Sequence, residues 1–256
     1  MKTASFLVAG TILIASAGSA AADVRFGIMN EAYPPFFTKD ATGKWVGWEI
    51  ELMDAVCAEM KETCSVVDMS WDGLIPGLQS RKFDVIWSSM SITDERSKTI
   101  AFTNKYYNTP SKLIGAQDGR GGTSVDDIAG KTVGIQVSTI QTEYYKKHYA
   151  SVASEKTYAT LDEAFQDLAV GRVDYVFGDS IPLMTFLQSD FGKDCCEDKG
   201  NVKDDPQVLG QGIGGGLRKD DAELLAKLNA AIAAVRANGT YAAISKKYFD
   251  FDPYGE

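Results

Sequence analysis

The stretch FDVIWSSMSITDERSKTIAFT, residues 83–103, decides the fold. It begins with a short apolar run rich in β-forming residues, at 85–87, which predicts a buried strand. The strand breaks into a group of hydroxyl side chains, Ser88, Ser89 and Ser91. Hydroxyls and free backbone N–H groups therefore collect where this strand ends, and such groups suit a small anion.

A helical turn follows the strand and carries one guanidinium, Arg96. The run TDER at 93–96 predicts the turn, and Ser91 followed by Asp94 resembles a capping box with Asp in place of Glu. Arginine offers a planar, bidentate fork that fits a carboxylate, and the hydroxyls add donors. The alternative is an ordinary strand–loop–helix junction with a surface arginine.

The chain begins with a predicted secretion signal at 1–22, with a positive Lys2, an apolar run and an A-x-A site before Asp23. The apolar run is too short for a transmembrane helix, so we expect a soluble, exported protein that starts at Asp23. With 26 Lys and Arg against 35 Asp and Glu, the formal net charge is −9. This acidic balance argues against nucleic acid and anionic membranes as partners.

Four cysteines in an exported chain predict disulfides. Cys57 and Cys64 are the best pair. In one continuous helix their Cα atoms would stand about 10 Å apart, too far for a bridge, so the predicted helix must end near Glu62. The adjacent Cys195 and Cys196 leave three alternatives: a vicinal disulfide, two thiols or metal ligands.

Two internal similarities relate the halves of the chain. LQSRKFDVIWSS at 78–89 aligns without a gap with LAVGRVDYVFGD at 168–179, and FGI at 26–28 matches VGI at 133–135. The pattern predicts two similar α/β lobes, each a sheet flanked by helices. In such sheets ligands bind beyond the carboxyl ends of the strands, so both lobes would contribute to one cleft. The alternative is chance, because helix–glycine–strand sequences are common.

Polar side chains follow the predicted strands of both lobes. The candidate ligand-binding residues are Ser88, Ser89, Ser91 and Arg96 from the first lobe, and Ser138, Thr139, Gln141 and Asp179 from the second. Arg96 for an anion and Asp179 for a cation, across one cleft, describe a zwitterion. Asp179 has a second interpretation, as the N-cap of the following helix.

Two aromatic residues lie at predicted strand ends on the cleft side. Tyr33 stands beside two prolines in the first loop, and Trp71 follows the second strand. Aromatic residues of this kind usually pack in the core. At the cleft they would instead sandwich a ligand side chain and attract a cation.

Other motifs are weaker. GQGIGG at 210–215 fits the dinucleotide pattern G-x-G-x-x-G, but no βαβ unit follows it, so we expect a glycine-rich strand. His148 is the only histidine and is expected to be solvated. We therefore predict no Ser-His-Asp triad, no metal site and no cofactor.

Nine stretches occur in order along the chain: YPPFF, GKWVGWEIELMDAVC, WDGLIPGL, DVIWSSMSITDER, IAFTNKYY, GKTVGIQVSTIQ, GRVDYVFGDS, GGGLRKDD and NGTYAAISKKYFDFD. Together they resemble the periplasmic amino-acid-binding proteins of ABC importers, the extracellular solute-binding family 3. The resemblance implies a two-lobe periplasmic-binding-protein-like (type II) α/β fold. The implied divisions are the signal at 1–22, lobe one at 23–109 and 210–256, and lobe two at 110–209.

The resemblance also implies a role for each site residue. Arg96 would bind the α-carboxylate of an amino acid, helped by Ser91 and Thr139. Asp179 would bind the α-ammonium together with Ser89.

The side-chain end of the site departs from the family pattern. Tyr33 and Trp71 would flank the ligand side chain. Where lysine/arginine/ornithine binders carry an Asp that reads the side chain, this chain has Asn30, with Glu31 next. The loop at 138–141 reads STIQ where the family usually has GTTQ, which changes a carboxylate contact and the shape of the pocket.

We therefore expect a monomeric periplasmic binding protein, not an enzyme, that captures an L-amino acid and delivers it to an inner-membrane ABC permease. The aromatic pair and Glu31 favour a cationic ligand of the arginine, ornithine or lysine type. The alternatives are a polar neutral amino acid or an opine and, from another class, a dehydratase on the same scaffold.

Overall fold

The structure is a computed structural model that describes residues 23–117 and 120–255. The predicted signal at 1–22 lies outside the described residues. Within those residues, no helix is both long enough and apolar enough to cross a membrane.

The first five-stranded sheet combines the start of the described chain with a late strand. Its spatial order is β4 (Cys64–Met69), β1 (Val24–Met29), β5 (Val85–Ile86), β12 (Gly216–Leu217) and β6 (Ala101–Phe102). β1 runs parallel to β4 and β5, whereas β12 runs antiparallel to β5 and β6. A separate hairpin is formed by β2 (Thr38–Lys39) and β3 (Trp45–Val46).

The second sheet has the same strand order and directions. It comprises β9 (Ser154–Tyr158), β8 (Thr132–Gln136), β10 (Tyr175–Asp179), β7 (Ser111–Ala116) and β11 (Cys196–Asn201). β8 is parallel to β9 and β10, and β7 is antiparallel to β10 and β11. The molecule thus has two α/β lobes with the same spatial arrangement of strands, as the sequence predicts, although the fourth strand of the sheet comes last along the chain in the first lobe and first in the second.

The internal sequence similarity is a structural repeat in register. Gly27 of β1 pairs with Ile86 of β5, and Gly134 of β8 pairs with Val176 of β10. The sequence alignment equates these two pairs. The predicted repeat is therefore confirmed at the level of individual strand partners.

Helices cover both faces of the sheets. They are α1 (Trp48–Met60), α2 (Leu74–Gln79), α3 (Asp94–Ser97), α4 (Val125–Ile128), α5 (Ile140–His148), α6 (Leu161–Ala169), α7 (Ser180–Gln188), α8 (Gly192–Cys195), α9 (Pro206–Leu209), α10 (Ala222–Ala237) and α11 (Thr240–Ser245). Successive strand residues face opposite sides, and Leu113 and Ile114 of β7 accordingly join different apolar clusters. α10 and α11 return to pack on α1.

The chain crosses between the sheets twice, after β6 and after β11, and the two crossings pair with each other. The Ile213 N–H donates to the Tyr107 carbonyl at 2.8 Å, and the Tyr106 N–H donates to the Ile213 carbonyl at 2.9 Å. The prediction of a glycine-rich strand at 210–215 is wrong, because only Ile213 forms bridges there and β12 begins at Gly216. Gly212 has a φ of 105°, which favours glycine, and a Cβ there would stand 3.0 Å from the Tyr107 carbonyl oxygen.

The capping prediction after β5 is wrong, because the cap is Thr93. Its Oγ1 accepts a hydrogen bond from the Arg96 N–H at 3.2 Å at the start of α3. Ser91 lies two residues too early for this role and forms a β-bridge with Ile213 instead. Its side chain is therefore free to face the space between the lobes.

Two disulfides join the four cysteines. α1 ends one residue before Lys61, whose left-handed φ of 58° turns the chain back toward β4. Cys57 and Cys64 are thereby bonded across a Cα–Cα distance of 6.3 Å, as predicted. Cys195 and Cys196 are bonded to each other, which selects the vicinal disulfide from the three alternatives.

The repeat gives a stability prediction at its paired glycines. A Cβ at Gly27 would stand 2.5 Å from the buried Phe83 ring, whereas at Gly134 the nearest atom, on the Tyr158 ring, is 3.1 Å away. Gly27→Ala should lower the free energy of unfolding by about 1–3 kcal/mol through overpacking, and Gly134→Ala by less. Chemical denaturation measures both, and an equal or larger loss for Gly134→Ala would refute the explanation.

Candidate functional site

A cavity lies between the two sheets and is lined by residues of both. It is lined where the parallel strands β1, β8 and β10 end and where the loop after β5 begins. Nine of the predicted ligand-binding residues line it: Tyr33, Trp71, Ser88, Ser89, Ser91, Arg96, Thr139, Gln141 and Asp179. The structure therefore brings together most of the residues chosen from the sequence.

Three predicted residues lie outside the cavity lining. Asn30 is exposed. Glu31 is half-buried beside the cavity, where one of its carboxylate oxygens accepts a 3.3 Å hydrogen bond from Gln136 Nε2. Ser138 contributes its backbone carbonyl rather than its side chain. The ligand contacts of these three residues remain predictions.

Arg96 is held at the cavity wall by carbonyl groups. Its Nη1 donates to the Ser91 carbonyl at 3.0 Å and its Nη2 to the Ser138 carbonyl at 3.3 Å. The guanidinium lies 5.5 Å from the centroid of the Trp71 ring. Removal from bulk water lowers the Arg96 pKa to about 10, an effect that the charge of Asp179 partly opposes. No carboxylate of the described residues forms an ion pair with this guanidinium.

Asp179 is held in a similar way by neutral donors. Its Oδ2 accepts a hydrogen bond from the Tyr33 hydroxyl and its Oδ1 one from Gln141 Nε2, both at 2.8 Å. Burial raises the Asp179 pKa, against the lowering effect of these two bonds and of Arg96. Asp179 occupies the N-cap position of α7, but its side chain caps no helical N–H. The carboxylate is thus directed to the cavity, and no cationic side chain in the described ranges pairs with it.

The serine loop after β5 is fixed by two contacts. Ser88 Oγ accepts a hydrogen bond from the Met29 N–H at 2.9 Å, which ties the loop to the end of β1. Ser89 has a left-handed φ of 54° and directs both its N–H (2.8 Å) and its hydroxyl (2.9 Å) to the carboxylate of Glu49 in α1. The Tyr106 hydroxyl donates to the same carboxylate. Glu49 is fully buried, and burial raises its pKa to about 7.

The second lobe presents the start of α5 to the cavity. Thr139 caps this helix by accepting from the Thr142 N–H, and its own hydroxyl donates to the Gln136 carbonyl at 2.8 Å. Gln141, in the first turn, also donates to Ser111 Oγ at 3.0 Å. Because the N-terminus of a helix carries partial positive charge, this wall favours an anionic group.

Carboxylates gather near Glu31, outside the cavity wall. Burial raises the Glu31 pKa to about 7, and the charges of Asp162, Glu163 and Asp72 raise it further. Asp72 and Asp162 each directly follow a residue that lines the cavity. This acidic group, Glu31, Asp72, Asp162 and Glu163, gives one end of the site a negative potential.

Several lining residues were missed by the sequence reasoning: Met29, Gln136, Ile140, Leu161, Phe177 and Gly178. Met29 and Gln136 are the last residues of β1 and β8, so a full application of the strand-end rule would have found them. Leu161 begins a helix and carries no such signal. The sequence reasoning also missed Glu49, because this residue lies in a helix that was predicted from the spacing of its apolar residues.

The chain matches the bacterial extracellular solute-binding proteins, family 3, over residues 24–251. It is 41% identical over 259 residues to an L-arginine-binding protein of Pseudomonas aeruginosa, covering 100% of this chain and 99% of the relative. It is 40% identical over 235 residues to the lysine/arginine/ornithine-binding periplasmic protein of Escherichia coli, covering 91% of this chain and 90% of the relative.

Solved structures agree with the sequence matches. The structure of an ancestral arginine-binding protein bound to arginine superimposes with a TM-score of 0.80 at 32% identity, covering 89% of this chain and 98% of that one. These matches confirm the predicted two-lobe fold and the prediction of a binding protein rather than an enzyme. The chain belongs to the bacterial extracellular solute-binding proteins, family 3.

Proposed function

We propose that the protein captures an L-amino acid with a cationic side chain in the periplasm and delivers it, as a monomer, to an inner-membrane ABC permease. One observation carries the proposal. Arg96 from one lobe and Asp179 from the other border one cavity, and neither forms an ion pair within the described part of the chain. Both groups are partly buried, and a ligand that closes the cavity would remove them further from water, where charges require compensation. The cavity is therefore complementary to a zwitterion.

The two poles of the zwitterion have different surroundings. At the carboxylate pole, Arg96 offers charged donors, with Ser91, Thr139 and the N-terminus of α5 nearby. At the ammonium pole, Asp179 is the acceptor, with Ser89 on the facing lobe. This arrangement allows an α-amino acid to bind in one orientation only. Its side chain would then extend into the part of the cavity that the two poles do not occupy.

The side-chain end of the site favours a cation. Glu31, Asp72 and Asp162 lie beside the cavity and make its potential negative. A cationic ligand group would restore the ionised form of Glu31, whereas a carboxylate ligand would meet like charges. The relatives named for arginine, lysine and ornithine support this choice. A polar neutral amino acid or an opine is the second candidate, because Gln136 already occupies one oxygen of Glu31.

The lobes are in contact across the cleft. The Tyr33 hydroxyl donates to Asp179 at 2.8 Å, and Trp71 Nε1 donates to the Ser138 carbonyl at 3.2 Å. We assign lobe one to residues 23–109 and 210–256 and lobe two to 110–209. Contacts of this kind, made only when the lobes approach, would let a bound ligand stabilise the closed form that the permease receives.

The Arg96 assignment predicts a large loss of binding. Arg96→Ala should weaken binding of the amino acid by about 2–5 kcal/mol, because the ligand carboxylate would be buried without its partner. Arg96→Lys should restore part of the loss, since lysine lacks the bidentate fork. Calorimetry measures both. Arg81→Ala, which removes an exposed arginine paired with Asp220, is the matched control. Wild-type affinity in Arg96→Ala would disprove the assignment.

The charge argument predicts the order of ligands. Isothermal titration should rank arginine, ornithine or lysine well above glutamine and glutamate. Glu31→Gln should narrow the arginine-to-glutamine preference by about tenfold, the typical worth of a hydrogen bond to a charged group. Tighter binding of glutamine by the wild-type protein would show that the aromatic residues form only an apolar slot.

A further inference from the structure

We propose that Glu49 is a positioning residue that makes the Ser89 hydroxyl a hydrogen-bond acceptor for the ligand's α-ammonium group. The inference rests on the proposed function, because it concerns the ammonium pole of the same site. Glu49 itself does not line the cavity. It acts through Ser89, which does.

The contacts of Glu49 define the role. Its side chain has no solvent exposure, and its carboxylate accepts hydrogen bonds from the Ser89 N–H at 2.8 Å, the Ser89 hydroxyl at 2.9 Å and the Tyr106 hydroxyl. The pair of bonds to Ser89 also holds that residue at its left-handed φ of 54°, a conformation uncommon for serine. One buried carboxylate thus sets both the backbone and the hydroxyl of Ser89.

The direction of the hydroxyl proton has a chemical consequence. A serine hydroxyl has one donor and two acceptor lone pairs. Because its only proton is committed to Glu49, Ser89 Oγ has lone pairs alone to offer to the cavity. An ammonium group has donors and no acceptors, so this orientation suits the ligand pole that Asp179 faces from the other lobe.

Protonation of Glu49 would reverse the orientation. A neutral carboxyl donates its own proton to Ser89 Oγ, which releases the serine proton toward the cavity and opposes an ammonium. The charge of Glu49 acts on the phenols of Tyr33, Tyr106 and Tyr107, and burial raises the pKa values of all three well above their usual range. They stay neutral near pH 7, and no cation pairs with Glu49 among the described residues.

The sign of the pH dependence follows. Burial raises the Glu49 pKa to about 7, so the acceptor orientation of Ser89 is complete well above pH 7 and is lost progressively as the pH falls through this value. Affinity for the amino acid should therefore rise with pH. Binding an ammonium should in turn favour the ionised carboxylate and release a proton.

The first test is Glu49→Gln. Its amide oxygen can accept from the Ser89 N–H and from Tyr106, while its amide nitrogen donates to Ser89 Oγ, so the packing is kept and only the hydroxyl proton is redirected. The Kd for arginine should rise about tenfold or more. Ser89→Ala should cause a similar rise, and the double variant should be no weaker than either single one.

Tyr106→Phe is the matched control. It removes another hydrogen bond to the same carboxylate but leaves the Ser89 proton in place, so the Kd should change by less than about threefold. A Kd in Glu49→Gln equal to that of the wild type, or a Tyr106→Phe loss as large as that of Glu49→Gln, would overturn the proposal in favour of a merely structural role.

The second test is the pH profile in a Glu31→Gln background, which removes the other carboxylate of similar pKa. Between pH 6 and 8 the Kd should fall by up to about tenfold, and Glu49→Gln should flatten the profile. A pH dependence of the Kd that persists in Glu49→Gln would assign the titration to another group and overturn the proposal.

If Glu49→Gln does not fold, the same measurement on Ser89→Ala takes its place, and the Kd of this variant should not depend on pH. If the wild type binds no amino acid, the proposed function fails instead.

Discussion

The site depends on two partly buried charges, which neutral groups of the protein hold in place without neutralising them. Backbone carbonyls hold the Arg96 guanidinium, and a phenol and an amide hold the Asp179 carboxylate. Neutral dipoles fix the position of each group but leave its charge uncompensated. An ion pair between them would close the site to any zwitterion. The separation of these charges on two lobes is therefore the constraint that the surrounding structure maintains.

The repeat places Ser89 and Asp179 in equivalent positions. They occupy matching places at the carboxyl ends of β5 and β10, the central strands of the two sheets, and the sheets share spatial order and direction. The second lobe presents a carboxylate at this place directly. In the first lobe a hydroxyl occupies it, backed by the buried carboxylate of Glu49. In the proposed binding mode, the ligand's ammonium group would contact the carboxylate of Asp179 directly and would be influenced by that of Glu49 through Ser89.

Features set by local pattern could be predicted from the sequence. The strand ends follow from the apolar runs and the polar residues that bound them, and the repeat follows from the matching glycine and apolar positions of the two halves. The combination of Arg96 and Asp179 follows from their opposite charges at such strand ends. Other features depend on tertiary structure. Ser91 and Thr93 are equally good caps in sequence, and only the β-bridge to Ile213 decides between them. Glu49 lies on an apolar helix face, and its contact with Ser89 joins residues far apart in the chain. Trp71 and Arg96 follow different strands of lobe one, and no local pattern encodes the contact between them.

The most direct test of the account is a crystal structure of the protein with a bound cationic amino acid. We predict ligand carboxylate oxygens within about 3 Å of the Arg96 guanidinium nitrogens, and the α-ammonium nitrogen within about 3 Å of both Asp179 and Ser89 Oγ. The ligand's far end should point toward Glu31. A ligand bound in the reverse direction, or with its side chain on Asp179, would contradict the assignment of the two charges.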